Sequence, residues 1–275
     1  MWAMLLAVGS FALMDAVLKL LAGHYPAIQV AAMRGMASMP LVVLYVLWRR
    51  QVGSLWRVRW PLQLLRGVAN IGTLFLFSYS LKALALADAY TLFFVAPLMI
   101  TALSALVLGE RVRRAHWLAI AVGMLGVVVA LRPDGESFLS LDALAALGAA
   151  GCYATSAVLG RVLIRRNTGE SLVFWTTALI AVGAGLLAQP GWVSVESEHW
   201  PLIAGLAVTG FIGLLAITEA FRGGQASVVA PLEYTALAWG VALDWLLWRT
   251  VPDHFTLLGG AIIIGSGLVL LRREH

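Results

Sequence analysis

Ten runs of mostly apolar residues, each near the roughly 20 residues a helix needs to cross a bilayer, fill most of this 275-residue chain. They fall at 2–21, 27–48, 61–81, 86–108, 115–131, 142–163, 171–189, 200–221, 226–248 and 254–271. Only short connections remain, so a soluble domain has no room. Charged residues make up 12% of the chain, about half the roughly 25% of a soluble domain. With 61% hydrophobic residues, a water-soluble globule could not hide its apolar surface, and disorder is excluded for the same reason. The strict alternation of a membrane barrel is absent, so the spans read as helices. One cysteine, Cys152, rules out an internal disulfide and a thiolate metal cluster. The first run lacks a basic leading segment and contains Asp15 and Lys19, so it reads as a retained span, not a cleaved signal.

The net charge of +5 is not a nucleic-acid signature once the charges are placed. On the side that holds the N-terminus, the connections and the C-terminal tail carry Arg49, Arg50, Arg57, Arg59, Arg111, Arg113, Arg114, Arg161, Arg165, Arg166, Arg222, Arg272 and Arg273. The other side carries only Lys82, Arg132 and Arg249, and gathers Asp88, Asp134, Glu136, Asp142, Glu196, Glu198 and Asp253. The positive-inside rule then predicts both termini in the cytoplasm of a multi-pass protein of the bacterial inner membrane.

The chain also matches itself. At an offset near 140, Ala87-Asp88-Ala89 falls on Ser227-Val228-Val229, and Phe94 on Tyr234. Ala16-Val17-Leu18 falls on Ala157-Val158-Leu159, and the stretch from Gly126 on that from Gly267. The shared offset carries the inference, because each short apolar word recurs by chance. Two halves follow, 1–133 and 134–275, with five spans each. Five is odd, so the second half enters the membrane from the opposite side. The expected fold class is all-α integral membrane: ten transmembrane helices as two inverted five-helix repeats. Inverted repeats are the usual build of secondary transporters, with a midplane site between the halves. Proline-interrupted spans in corresponding positions point to that site; here they hold Pro97 and Pro231.

Ionisable groups inside spans are expensive and mark pathways. Asp15 and Lys19 stand four apart on one helical face and are expected to pair. Two readings follow: a neutralised pair that lets the helix insert, or a zwitterion site in which Lys19 meets a carboxylate and Asp15 an ammonium. The second is the expectation. Glu233 follows Pro231 closely and is expected to bind a proton or an ammonium in the cavity; Asp244, on the same stripe, is read as hydrated near the outer end. Arg66 is read as a snorkelling anchor, Glu219 as an interfacial partner of Arg222, and Arg34 shares a face with Ser38 and Tyr45. Asn70, Thr73, Phe77 and Ser80 form one stripe, and Tyr90, Phe94, Pro97, Thr101 and Ser104 another; Thr155 and Ser156 add to them. Such a mixture of aromatic and polar groups suits a small amphipathic solute. Trp175 and Trp239 sit deeper than the interfacial belt of Trp48, Trp56, Trp60, Trp200 and Trp248 and are expected to touch it. Gly123, Gly126, Gly265 and Gly267 are assigned to helix packing.

These residues bear a resemblance. Ala87-Asp88-Ala89-Tyr90-Thr91-Leu92-Phe93-Phe94-Val95-Ala96-Pro97-Leu98, then Leu108-Gly109-Glu110-Arg111-Val112, is similar to the drug/metabolite transporter superfamily, specifically its EamA-type bacterial members. Ala226-Ser227-Val228-Val229-Ala230-Pro231-Leu232-Glu233-Tyr234 looks like the second-half counterpart. The likeness covers essentially the whole chain, with one departure: the Gly-Glu that often closes span nine is Arg249-Thr250. It implies export or uptake of small metabolites, often amino acids, and general likeness, without a diagnostic motif, suggests exporters of aromatic amino acids among them.

The function expected is alternating access through a central cavity, lined by Asp15, Lys19, Asn70, Thr73, Phe77, Tyr90, Phe94, Pro97, Thr155, Ser156, Trp175, Pro231, Glu233 and Tyr234. The partners are a small solute and the bilayer, with no nucleic acid, and the chain is read as a monomer or weak homodimer. The alternatives are a channel-like facilitator and a carrier of a nucleoside-, vitamin- or drug-like metabolite. An intramembrane enzyme would want His, Asp or Ser clustered at one face, and the sequence has no such cluster. No GxxxxGK[ST] motif and no metal-ligand spacing are present, so no cofactor is expected. The topology is testable with an impermeant maleimide on intact cells in a Cys152→Ser background. Ser137→Cys should label and Ser54→Cys should not; the reverse pattern rejects the assignment.

Overall fold

The computed structural model describes residues 2–56, 58–108, 114–131, 140–164, 167–223 and 235–272. Among them every regular element is helical. The first half holds α1 (Trp2–Ala22), α2 (Ala27–Trp48), α3 (Trp60–Ser80), α4 (Leu86–Phe93), α5 (Ala96–Leu108) and α6 (Arg114–Leu131). The second holds α7 (Leu141–Ile164), α8 (Gly169–Leu179), a π-turn (Ile180–Ala184), α9 (Gly185–Ala188), α10 (Trp200–Gly223), α11 (Thr235–Leu243), a π-turn (Asp244–Trp248) and α12 (His254–Arg272). Each of the ten apolar runs falls on one helix or on consecutive helical pieces; the start of the ninth, 226–234, lies outside the described residues. Among the described residues, five of these segments are long and apolar enough to cross a membrane outright. α3 is not among them, because Gln63, Arg66, Asn70, Thr73, Ser78 and Ser80 lower its hydropathy.

Exposure is inverted relative to a soluble protein. Leu44, Leu65, Val68, Leu125, Val182 and Leu186 are half or more exposed, whereas Gln29, Gln63, Ser78, Ser80, Thr91 and Asp244 are fully buried. Only a hydrocarbon surrounding makes that distribution favourable. The packing keeps its pattern when the two halves are exchanged. α1 lies along α10 as α7 lies along α3, while α6 packs on α12 and α2 on α8 and its π-turn.

Small residues set the closest approaches. A Cβ on Gly35 would stand 2.6 Å from the backbone N of Ala181, in the π-turn after α8. On Gly126 it would meet the Gly259 carbonyl at 2.9 Å, and on Gly123 it would overlap Leu98. The packing role expected of Gly123 and Gly126 is therefore present. That expected of Gly265 is not: its Cβ position faces open space, so the α6–α12 contact does not depend on it.

Span four is broken, as its proline implies. Pro97 has no N–H to return to the Phe93 carbonyl, so the helix stops at Phe93 and restarts at Ala96. The caps are conventional: Thr168 accepts from Ser171 N, Ser140 from Ala143 N at 3.2 Å, and Asp253 from Thr256 N at 2.7 Å. Span nine ends on Arg249 in the left-handed region, φ 56°. Glycine adopts that conformation without strain, so the departure from Gly-Glu puts a side chain where the backbone favours none. Between α9 and α10 the chain returns across the face opposite the N-terminus. There buried Gln29 donates Nε2 to Val193 O at 2.6 Å and accepts from Val193 N at 2.9 Å.

Candidate substrate cavity

α1 and α2 run in opposite directions, and their charges meet at one depth. Asp15 stands seven residues before the end of α1 and Arg34 seven after the start of α2. At 1.5 Å per residue, both lie about 10 Å inside the face opposite the N-terminus. They border one cavity of about 260 Å³ and are close enough for their charges to interact. Asn70 and Thr73 come from α3, Tyr90, Phe93 and Phe94 from the broken span four, and Tyr153 from α7. Phe11, Met4 and Met14 complete the wall on α1.

The aromatic wall is continuous. Phe77 stacks on Tyr90 at 6.1 Å and meets Phe93 edge-on at 5.4 Å; Phe93 in turn contacts Tyr153 at 5.3 Å. Tyr90 also stacks on Phe94 at 6.5 Å. The Tyr90 hydroxyl donates to Asp15 Oδ2 at 2.8 Å, which fixes the carboxylate toward the cavity. Asn70 Nδ2 donates to Arg66 O at 2.8 Å and Thr73 Oγ1 to Ala69 O at 2.9 Å. The Asn70 amide oxygen and the Thr73 oxygen lone pairs therefore remain available as acceptors.

The expected Asp15–Lys19 pair is not made. Lys19 turns away from the cavity and donates Nζ to Asp244 Oδ1 at 3.0 Å, with its ammonium 4.3 Å from the centre of the Trp248 ring. Asp244 is fully buried, contrary to the hydrated position expected of it. Its second oxygen accepts from Ala87 N at 2.9 Å, in the first turn of α4. The physical reason is the π-turn Asp244–Trp248, which brings the carboxylate onto the ammonium and pulls Trp248 in from the expected belt. α1, α4 and α11 are thus cross-linked at the face opposite the N-terminus, just beyond the cavity.

Other expected site residues divide clearly. Asn70, Thr73, Phe77, Tyr90 and Phe94 line the cavity with Asp15. Thr155 donates Oγ1 to Gly151 O at 2.9 Å, Ser156 is buried, and neither is among the wall residues. Trp175 is corrected: its Nε1 donates to Leu55 O at 2.8 Å and its ring meets Trp60 at 4.6 Å, so it holds the α2–α3 connection. Trp239 is likewise not a wall residue; it is partly exposed and lies against Gly9 of α1. Pro231, Glu233 and Tyr234 lie outside the described residues, as do the side chains of Pro97, Thr101, Ser104 and Glu219. Arg66 is partly exposed, with Nε and Nη1 buried. The reading of the stripes missed Phe93, an aromatic one turn after Tyr90, and Tyr153, which has no aromatic within a turn to signal it. A second, more open groove of about 820 Å³ lies between α1, α2, α8 and α10, with Tyr45, Trp48, Arg49 and Glu170 on its rim.

A helical bundle with apolar flanks and a central cavity holding one carboxylate, one guanidinium and an aromatic wall fits a small-solute carrier. The chain belongs to the EamA-like transporter family, whose model matches residues 1–132 and again 141–272. It is 30% identical to the pseudopaline exporter of Pseudomonas aeruginosa, over 98% of this chain and 94% of that one. It is 28% identical to the riboflavin transporter of Vibrio cholerae, over 77% of this chain and 64% of that one. To an S-adenosylmethionine uptake transporter of Rickettsia conorii it is 26% identical, over 77% and 71%. A solved crystal structure matches 99% of the chain at a TM-score of 0.69 and 23% identity, which shows the shared fold. The protein is therefore a multi-pass inner-membrane transporter of small molecules; the family and these relatives are transporters, not enzymes.

The buried ion pair makes a quantitative prediction. Removing one partner of a buried pair costs about 3–5 kcal/mol, because a lone charge is left behind. Lys19→Met should lower the melting temperature of the purified protein sharply, and Lys19→Met with Asp244→Asn should recover most of the loss. Thermal melts in detergent check this. Additive losses in the double variant would show that the two charges are not coupled.

Proposed function

We propose that this chain is a secondary carrier that exports amino acids, aromatic ones in particular, by alternating access between two inverted repeats, 1–133 and 134–275. Both termini are cytoplasmic. The observation that carries this reading is the cavity in which Asp15 and Arg34 stand at one depth against an aromatic wall. An amino acid presents an ammonium, a carboxylate and a side chain. Asp15 takes the ammonium, in exchange for the Tyr90 hydroxyl. Arg34, not Lys19, takes the carboxylate, and its planar fork suits two oxygens at once. The side chain lies among Phe77, Phe93 and Tyr153, and Asn70 and Thr73 offer acceptors beside the head group. A cavity of about 260 Å³ lies just below the roughly 300–1,000 Å³ of sites for drug-sized ligands, as an amino acid requires.

The cavity follows α1 from Met4 to Asp15 and stops short of Lys19. That supports an inward-facing state, with Lys19–Asp244 as part of the closed outer side. The acidic Glu233, beside Pro231 and Tyr234 in the span that corresponds to the Pro97 span, is the candidate for proton coupling.

Counterflow of labelled L-phenylalanine in proteoliposomes tests the reading. A hydrogen bond to a charged group contributes about 1.5–3 kcal/mol, so loss of one should raise half-saturation about 10- to 100-fold. Asp15→Asn and Arg34→Gln should each do so, while Arg34→Lys should lie between. A phenylalanine-saturable carrier whose affinity ignores both changes would reject the assigned roles.

A further inference from the structure

Arg66 is the one charged side chain of α3, and its burial has no counterpart in the cavity chemistry just described. Nε and Nη1 are both shielded from solvent and, among the described residues, have no hydrogen-bond partner. Two buried guanidinium nitrogens with unmet donors are costly unless something supplies acceptors. It is held flat against α7: a Cβ on Gly160 would stand 3.5 Å from its Cζ, Nε and Nη2. Its charge interacts with Tyr153, which is itself in the cavity wall. One turn further along α3, Asn70 lies in the same wall and donates to the Arg66 carbonyl. Arg66 thus stands beside the cavity wall on the side of the N-terminal face. It stands six residues into α3, about 9 Å from that face, and about 10 Å along the membrane normal from the Asp15–Arg34 level.

Charge balance gives the ligand class. The described cavity and its continuation hold one carboxylate, Asp15, and two guanidinium groups, Arg34 and Arg66. A monocarboxylate amino acid satisfies the first two and, among the described residues, leaves the third unmet. We propose that Arg66 is an anion subsite on the N-terminal side of the cavity, and that the preferred solutes are amino-acid-like zwitterions with a second carboxylate about one phenylalanine length from the first. Gly160 lets α7 approach the face of the guanidinium, and Tyr153 of the cavity wall lies within reach of its charge. The inference rests on the zwitterion reading above.

A matched pair of ligands tests it: 4-carboxy-L-phenylalanine against 4-methyl-L-phenylalanine, which differ only in the second carboxylate. Thermal stabilisation of the detergent-purified protein gives binding without requiring transport, and competition against phenylalanine counterflow gives transport-site affinity. In the unaltered protein the carboxy compound should bind at least tenfold more tightly. Arg66→Gln should remove that preference while leaving the methyl compound within about twofold, and Arg66→Lys should keep part of it. If Arg66→Gln does not yield a monodisperse protein, Gly160→Leu, which pushes the guanidinium out of its seat on α7, should reduce the preference instead. Equal binding of the two compounds by the unaltered protein, or a preference that survives these changes, overturns the subsite and leaves the amino-acid reading standing. No response to either compound overturns both.

Discussion

The structure turns on the two opposite charges of α1, four residues apart and bonded to different partners. On an isolated helix the i, i+4 spacing of Asp15 and Lys19 favours a mutual ion pair. Within the bundle each finds a better partner. Lys19 reaches the buried Asp244 at 3.0 Å, and Asp15 receives the Tyr90 hydroxyl at 2.8 Å. Asp244 then holds Ala87 N, three residues before Tyr90 on the same short helix. The result is a closed circuit through α1, the π-turn after α11, and α4. The cavity lies on the N-terminal side of this circuit and stops short of it. A carrier needs that division, because a solute site must be open to one side only at a time.

On the proposed reading the circuit would link occupancy to closure: an ammonium at Asp15 would displace the Tyr90 hydroxyl, and Tyr90 shares α4 with the amide that Asp244 holds. The helix is only eight residues long and is cut from α5 by the proline break, so it can shift as a unit. A short segment with partners from both halves is well placed to be the bistable element of such a transporter.

Much of this was legible in the sequence, for identifiable reasons. Span positions follow from hydropathy, which is a strong signal over 20 residues. The break in span four follows from Pro97, and the membrane setting from the scarcity of charge. The wall of Asn70, Thr73 and Phe77 follows from the period of a helix, and so does that of Tyr90 and Phe94. What periodicity along one helix could not reveal was pairing between helices distant in sequence. The partner of Lys19 lies 225 residues away and is brought round by a π-turn, a feature without a local signature. Arg34 and Arg66 were visible as charges, but their direction depends on neighbours: α1 on one side, Gly160 of α7 on the other. Trp175 misled because depth in a span does not say which way a ring points; it faces Leu55 and Trp60.

The central claim is that the Asp15–Arg34 cavity, and not the larger groove between α1, α2, α8 and α10, is where the solute sits. A crystal structure with 4-bromo-L-phenylalanine tests this directly, since the bromine marks the ring by its anomalous signal. The account predicts one bromine peak among Phe77, Phe93 and Tyr153, with the ammonium on Asp15 and the carboxylate on Arg34. A peak in the groove beside Tyr45 and Trp48, with the central cavity unoccupied, would contradict it.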